Sequence, residues 1–443
     1  MSETLSKSNF EVIDATTSDQ KVYILSDKLR SKAQEIINTI DFPTTRIEAW
    51  KYTRVAKIRN TRFKITCGGA FGVQDFETKD KRQKTEDLRL KIQDFLISGL
   101  KGSILVFVNG FYHAELSKIE AESGLEISSL SESKDFSEKF LGKLVPLENE
   151  IFNSFNTFFA QDGVCIRIHK KMEVKQSVQV LFLTSGENVY SGNRNLIVCE
   201  DFASAHIVLN YASLNANSCF NNSVTEIHVG TNAHLKIDKI QQEDSTNFDI
   251  IGEYAAQEKD STFTITTLTL NGGLVRNNLS IDVNGQNCET NLSGAYILKG
   301  KQHVDNHTIV DHKVPNCQSN ELYKGVIDDQ ATGVFNGKVF VRKGAQKINA
   351  FQSNGNILLS DDASVNSKPE LEIFADDVKC SHGSTTGQLD EDAIFYLRAR
   401  GISEKSARAL MVSAFIGDVI EKIENQEVQS YLYEKIEEKF GFA

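Results

Sequence analysis

The chain has 443 residues, a hydrophobic fraction of 40%, a charged fraction of 25% and a formal net charge of −11. That length exceeds what one hydrophobic core usually covers and predicts two or three domains. The acidic balance argues against a nucleic-acid backbone as the main partner, and no apolar run reaches membrane-spanning length.

The amino-terminal Met1-Ser-Glu-Thr-Leu-Ser-Lys has no apolar core and no arginine-rich face, so a cytoplasmic protein without a leader is expected. Residues 1–163 read as a mostly helical region with some strand. Leu29, Ala33, Ile36, Ile37 and Ile40 fall at helical spacing and predict a helix that stops before Phe42-Pro43. A segment with the only tryptophan follows, Thr45-Arg-Ile-Glu-Ala-Trp-Lys-Tyr-Thr. Residues 86–100 predict a second helix with Leu88, Leu90, Ile92 and Leu96 as its apolar set, and 103–112 predict a strand entering an Asn-Gly turn. A further helix is expected from near Leu147 through Ile151, Phe155 and Phe158.

Residues 164–384 look different. Short strands such as Val178-Gln-Val-Leu-Phe-Leu and Thr262-Phe-Thr-Ile-Thr-Thr-Leu-Thr-Leu succeed one another without helical pattern. Asn-Gly pairs at 271, 284, 336 and 354 read as turns, and the later strands recur at roughly 15 to 20 residues, near the short end of solenoid repeats. This pattern predicts a β-helix, with a β-sandwich as the alternative. Its outermost coil, placed near residues 352–374, would leave strand edges that need a cover. Residues 385–443 are helical. Acids open and arginines close the helix that ends at Gly401, and Ser403 caps the next one. In that helix Ala407, Leu410, Met411, Ala414 and Phe415 form the expected inward stripe.

Seven cysteines, at 67, 165, 199, 219, 288, 317 and 380, never form a Cys-x-x-Cys pair. In a cytoplasmic chain they read as reduced thiols outside any zinc-finger or ferredoxin pattern. Cys380 and His382 carry the strongest chemical signal. Two residues apart on a strand, they share a face and can converge on one ion or sulfur species. A neutral imidazole is also a borderline iron ligand and a proton shuttle near neutral pH. Weaker constellations are His303, Asp305 and His307, metal-like by spacing but also readable as a polar ladder, and His312 with Cys317 in a turn. Adjacent carboxylates at Asp361-Asp362 and Asp376-Asp377 leave open a β-helix enzyme acting on polysaccharides. There is no Gly-Lys-Ser/Thr phosphate loop, so the chain is expected to have no ATP site of its own.

The run from Glu370 through Asp376-Asp-Val-Lys-Cys-Ser-His-Gly to Arg400-Gly-Ile resembles the signature of the SufB/SufD family of iron–sulfur cluster assembly proteins. Gly333-Val-Phe-Asn-Gly-Lys, Ala345-Gln-Lys-Ile-Asn-Ala and Leu358-Leu-Ser-Asp-Asp-Ala fit the same family, and Arg46-Ile-Glu-Ala-Trp-Lys-Tyr-Thr resembles its SufD branch. The resemblance implies a right-handed parallel β-helix core (164–384) between an N-terminal region and a C-terminal helical domain. It implies a non-catalytic scaffold that pairs edge to edge with a SufB-like paralogue, and that docks on a SufC-like ABC ATPase through 385–443, including Arg400, Gly401, Ile402 and Ser403. Asn354 stands where the SufB branch carries its sulfur-accepting cysteine, and an amide cannot hold a persulfide. His382, with Cys380 as a second candidate, would face the partner's acceptor at a transient iron or iron–sulfur cluster, with a sulfur donor system upstream. The resemblance leaves the role of flavin open. Neither a nucleic acid nor a membrane is implied as a partner.

Overall fold

The computed structural model describes residues 4–7, 10–14, 24–66 and 88–440, so Cys67 and the start of the helix expected over 86–100 lie outside the described residues. Across residues 164–387, strands alternate between two parallel sheets. In one, Ser177–Glu187, Ser204–Asn217, His234–Gln242, Thr262–Asn271, Glu289–Leu298, Gln318–Ile327, Ile348–Leu358 and Val378–Gly387 lie side by side in chain order. In the other, Val164–Ile168, Tyr190–Cys199, Phe220–Val229, Phe248–Gln257, Leu274–Val283, His303–His312, Thr332–Val341 and Ser364–Ile373 do the same. This is a β-solenoid of eight two-strand coils, with successive coils hydrogen-bonded to one another. Register sets the coil at 27 residues from Thr262 to Glu289 and 31 from Gln318 to Asn349. The shorter spacing visible in the sequence is the step from one sheet to the other.

One corner shows why this sequence turns where it does. Phe202, Asn232, Asp260, Asn287, Asn316 and Lys347 recur once per coil, and each has positive φ. Four of the six are Asn or Asp, the non-glycine residues that enter the left-handed region most readily. The N–H of Asn232 donates to the Lys259 carbonyl and that of Asn316 to the Gln346 carbonyl, so each corner is tied to the next coil. The Asn-Gly pairs at 336 and 354, expected as turns, lie instead within strands. At Gly337 a Cβ would come within 2.6 Å of the Phe335 ring, so the glycine makes room for an aromatic side chain rather than for a bend. The Asn109-Gly110 pair does turn, with φ of 51° and 90°, between Gly102–Val108 and Phe111–Tyr112.

Each outer face of the solenoid is covered over part of its length. On the first sheet, Val208, Ile240, Leu268, Ala295, Ile297 and Val326 pack against Val412, Ile416, Val419, Ile420, Leu432 and Ile436 of the C-terminal helices Glu404–Ile420 and Gln426–Phe440. The inward stripe of Glu404–Ile420 is therefore Ala407, Val412, Ile416, Val419 and Ile420. Leu410 and Ala414, expected inside, are exposed, because the sheet lies about one residue round the helix from the stripe read in the sequence. On the second sheet, Tyr190, Phe220, Phe248 and Ile250 receive Phe10, Phe42, Trp50 and Phe63 together with Phe152, Phe155 and Phe159 of the helix Ile151–Phe159. The expected helix Asp27–Thr39 is present and buries Ala33 and Ile37. The segment after residue 88 is shorter than its periodicity predicts, ending in the 3₁₀ turn Ile92–Phe95 and leaving Leu90 exposed. Its carbonyls have tertiary partners. The Asp94 carbonyl accepts from the Tyr431 hydroxyl, and that of Phe95 from the amides of Gln179 and Asn210.

Candidate functional site

The solenoid ends at two strands that pair on one side only among the described residues. Val378–Gly387 pairs with Ile348–Leu358, and Ser364–Ile373 pairs with Thr332–Val341. The outermost coil is thus 364–387, one strand further along than the sequence suggests, because Thr385, Thr386 and Gly387 continue the strand where helical periodicity was expected to begin.

The two edges differ. Ser364–Ile373 carries Pro369, which lacks an N–H, and the charged Lys368, Glu370 and Glu372. Lys368 pairs with Glu48 at 2.6 Å and Glu370 at 2.9 Å, and Lys338 pairs with Glu372 at 3.0 Å and Glu370 at 3.3 Å. Proline and charge are the devices that protect an edge from further pairing. Val378–Gly387 has a single lysine, no acid and no proline, and most of it is exposed. It is the edge free to accept another strand.

Cys380 and His382 stand on this strand, two residues apart and on one face. Register partners in a parallel sheet point to the same side, so Cys380 stacks on Ala350 and His382 on Gln352. Ala350 and Gln352 point into the solenoid and are buried. The two candidate ligands therefore sit over the open mouth of the interior. His382 is exposed, while Cys380 is half-buried and burial pushes its thiol up from the ordinary range. A Cβ at Gly383 would meet nothing within 4 Å, so the strand is open beside the imidazole. Phe351, Ile373 and Phe374 are exposed apolar side chains near the mouth. An imidazole and a thiol are fewer donors than an iron site requires, and no group of three or more His, Cys, Asp or Glu side chains among the described residues is arranged to hold a metal.

Asn354 points inward and is buried, donating to the Tyr323 carbonyl at 3.2 Å and accepting from the Asn356 amide at 2.8 Å. Its role is to fill and hydrogen-bond the interior behind the mouth.

His303, Asp305 and His307 lie on the outward face of their strand, under the tryptophan segment. Asp305 accepts from Arg276 at 2.6 Å and from the Thr53 hydroxyl, its other oxygen lies 3.0 Å from His307 Nε2, and Thr53 also bonds His303 at 2.9 Å. The Arg276 guanidinium lies over the Trp50 ring at 3.8 Å and donates to the Ala49 carbonyl. Charge and hydrogen bonds hold Asp305 well below the usual carboxylate range, although burial opposes this, and burial lowers both histidines. The trio fastens Ala49, Trp50 and Thr53 to the solenoid. His312 ends its strand buried, with Nε2 3.0 Å from the Ser319 hydroxyl, and burial lowers it to about 4. Asp361 and Asp362 lie in a corner turn beside an open surface pocket of about 580 Å³ lined also by Gly300, Lys301, Asp329, Gln330 and Ser360.

Arg400, Gly401, Ile402 and Ser403 form the turn between Glu391–Arg398 and Glu404–Ile420. Gly401 has φ of 88°, Ser403 accepts from the Ser406 N–H at 3.1 Å, and Arg400 stacks on Tyr396 at 3.4 Å. The sequence reading missed what surrounds the turn. Phe395 is 72% exposed, Tyr396 56% and Leu410 52%, large apolar side chains at the surface of the two helices that flank the turn. Their signal was present, since Phe395-Tyr396 follow Ile394, the residue of that helix that is buried.

A family model described as the SUF system FeS cluster assembly SufBD core domain matches residues 182–415, and one for the SufBD protein N-terminal region matches residues 7–180. The chain is 31% identical over 418 residues to an iron-sulfur cluster assembly SufBD family protein of Synechocystis sp., covering 91% of this chain and 88% of the relative. It is 27% identical to the iron-sulfur cluster assembly protein SufD of Escherichia coli, over 93% of this chain and 92% of that one. It is 28% identical to the Arabidopsis thaliana protein ABCI7, chloroplastic, over 91% and 83%.

Proposed function

This chain belongs to the SufBD family of iron–sulfur cluster assembly proteins, and on that premise we propose that it is a SufD-type scaffold of a cytoplasmic SUF complex. It has no catalytic residue of its own. The observation that carries this reading is the unguarded edge Val378–Gly387, which bears Cys380 and His382 over the mouth of the solenoid. A SufB-like paralogue would continue the first sheet across that edge by main-chain pairing, a mode that gives affinity without demanding particular side chains. Its thiolates would complete the coordination that one imidazole and one thiol begin, and iron and sulfide would be the cargo of the shared site. His382 would supply a neutral nitrogen donor, which holds iron less tightly than another thiolate and releases the finished cluster more readily. Cys380 is the second donor.

The parts divide accordingly. Residues 1–163 brace the second sheet, residues 164–384 form the pairing core, and residues 385–443 dock a SufC-like ABC ATPase. The docking surface is the turn Arg400, Gly401, Ile402 and Ser403 together with exposed Phe395, Tyr396 and Leu410. Because the C-terminal helices are packed on the first sheet, movement imposed by the ATPase would reach the strands that carry the site. Affinity purification of the full chain from its own cells, followed by mass spectrometry, tests the reading. Stoichiometric recovery of a second SufBD paralogue and an ABC ATPase is expected, and recovery of the chain alone would contradict it.

A further inference from the structure

The interior of the solenoid is mostly apolar along its whole length, with Val178, Phe182 and Ile207 in early coils and Ile265, Ile281, Val304 and Val339 in later ones. From His234–Gln242 onward a file of buried polar side chains runs among them. Lys239 and Glu253 form an ion pair at 2.7 Å with both side chains almost fully buried. Lys239 also donates to Asn277 at 3.1 Å, and Asn277 donates to Asn306 at 2.9 Å. Two residues further along the strand, on the same inward face, the Thr308 hydroxyl donates to Glu321, and Glu321 accepts from Gln352 at 2.9 Å. Gln352 is the register partner of His382. Tyr323 lies beside the file and feels the carboxylates of both Glu321 and Glu253. It fits because position 294 is glycine, where a Cβ would come within 2.2 Å of the Tyr323 ring.

A second observation is independent of these bonds. Glu253 Oε2, Asn306 Nδ2 and Gln352 Oε1 are buried polar atoms without a protein partner, and all three face inward along this file. Such atoms are costly to bury dry and are the usual partners of internal water. Replacing a buried ion pair by apolar side chains of similar volume is often neutral or stabilising, so stability alone does not account for the Lys239–Glu253 pair.

We propose that this file is a hydrated proton path that opens at the solenoid mouth beside His382 and has Glu321 as its outermost proton store. Water bonded to Gln352 Oε1 bridges the mouth and Glu321. The reaction it serves is proton release on iron binding: a thiol RSH and Fe²⁺ give RS–Fe⁺ and H⁺, and the proton passes to the Glu321 carboxylate with no change in oxidation state. Burial places the Glu321 carboxyl at about 7, where it both gains and loses protons in a neutral cell. The titratable groups facing it are Tyr323 and, beyond that ring, the Glu253–Lys239 pair. The link to iron rests on the function proposed above, but the path itself does not.

The test is infrared difference spectroscopy of the isolated full chain, titrated in water and in D₂O. A protonated-carboxyl band is expected to vanish as pH rises through about 7, to be missing in Glu321→Gln, and to shift within the mixing time on transfer to D₂O. The Glu321→Gln difference separates it from the buried carboxyls of Glu243 and Asp249, which also run high. Gln352→Met keeps Glu321 but removes the bridge, and should slow that isotope shift by an order of magnitude or more. Exchange as slow as that of interior strand amides, or a Glu321→Gln spectrum identical to the parent, would overturn the path. In the assembled complex, Glu321→Gln should remove the inflection near neutrality from the pH profile of cluster formation. An unchanged profile beside a positive infrared result would overturn the coupling to iron alone. Cluster formation that ignores His382 would overturn the function proposed above and leave the infrared result standing.

Discussion

Replacing Arg276 with methionine tests why the tryptophan segment is fastened where it is. The guanidinium does three things at once: it pairs with Asp305 at 2.6 Å, covers the Trp50 ring at 3.8 Å and donates to the Ala49 carbonyl. The side chains of Arg276 and Asp305 are 4% and 1% exposed, so the substitution leaves a buried carboxylate short of its main counter-charge. Breaking such a pair costs about 3–5 kcal/mol. Thr53 still donates to Asp305 and His307 Nε2 stays 3.0 Å from it, which favours the low end, and loss of the cation–π contact adds about 1 kcal/mol. A loss of about 4 kcal/mol at neutral pH is therefore expected. Asp305 is held low in the folded parent, so its contribution is present above the unfolded carboxylate range and lost as pH falls. The difference between parent and variant should accordingly shrink as pH falls through the unfolded aspartate range, near about 4. Trp50 is the only tryptophan, so urea unfolding followed by its emission reads the site directly, with circular dichroism as the global probe. A loss under about 1 kcal/mol, or one that does not change with pH, would refute the claim that this pair anchors the segment.

Three further outcomes are expected. Glu321→Gln should stabilise the chain at alkaline pH: the folded carboxyl titrates near 7 and an unfolded one near 4.5, so ionisation costs the parent about 3 kcal/mol above pH 7 and almost nothing below the unfolded value, and equal urea midpoints for parent and variant at high pH would contradict it. Asn354→Ala should lower stability by about 1–3 kcal/mol, because it strands the buried Tyr323 carbonyl and the Asn356 amide, and a neutral urea melt would show that the interior tolerates the loss. Phe395→Ala with Leu410→Ala should abolish ATPase binding in a pull-down while leaving the melt within about 0.5 kcal/mol of the parent, since both side chains are largely exposed. The paired substitution is a cleaner test than deleting 388–443, which would uncover Ile240, Leu268 and Ile297.

The architecture was legible because its signals are local and repeated. Alternating strands, the C-terminal helices and Ser403 as a cap all follow from side-chain period and turn chemistry, whereas the N-terminal region, expected to be mostly helical, is mixed, with the strands Phe10–Asp14, Arg62–Ile65 and Gly102–Val108 beside its helices. The Cys380–His382 pair was legible for the same reason, since spacing on a strand fixes the face. What was not legible depends on contacts between coils. Whether Asn336-Gly337 turns or stays in a strand is decided by the Phe335 ring beside it. Leu410 was read as inward because both Leu410 and Val412 fit a helical stripe, and only the position of the sheet chooses between them. The polar file from Lys239 to Gln352 gives no periodic signal within any one strand, because it runs across strands and is assembled by register.

The central claim is that the strand edge bearing His382 is half of a cluster assembly site shared with a paralogue. Its most direct measurement is iron and sulfide bound per complex, by metal analysis and visible absorption, in the complex of this chain with its paralogue and ATPase carrying His382→Ala. The imidazole is exposed and makes no hydrogen bond within the described residues, so the variant complex should assemble and melt like the parent, within about 1 kcal/mol. The account predicts that it retains almost no cluster. A normally assembled His382→Ala complex that holds as much iron and sulfide as the parent would contradict it.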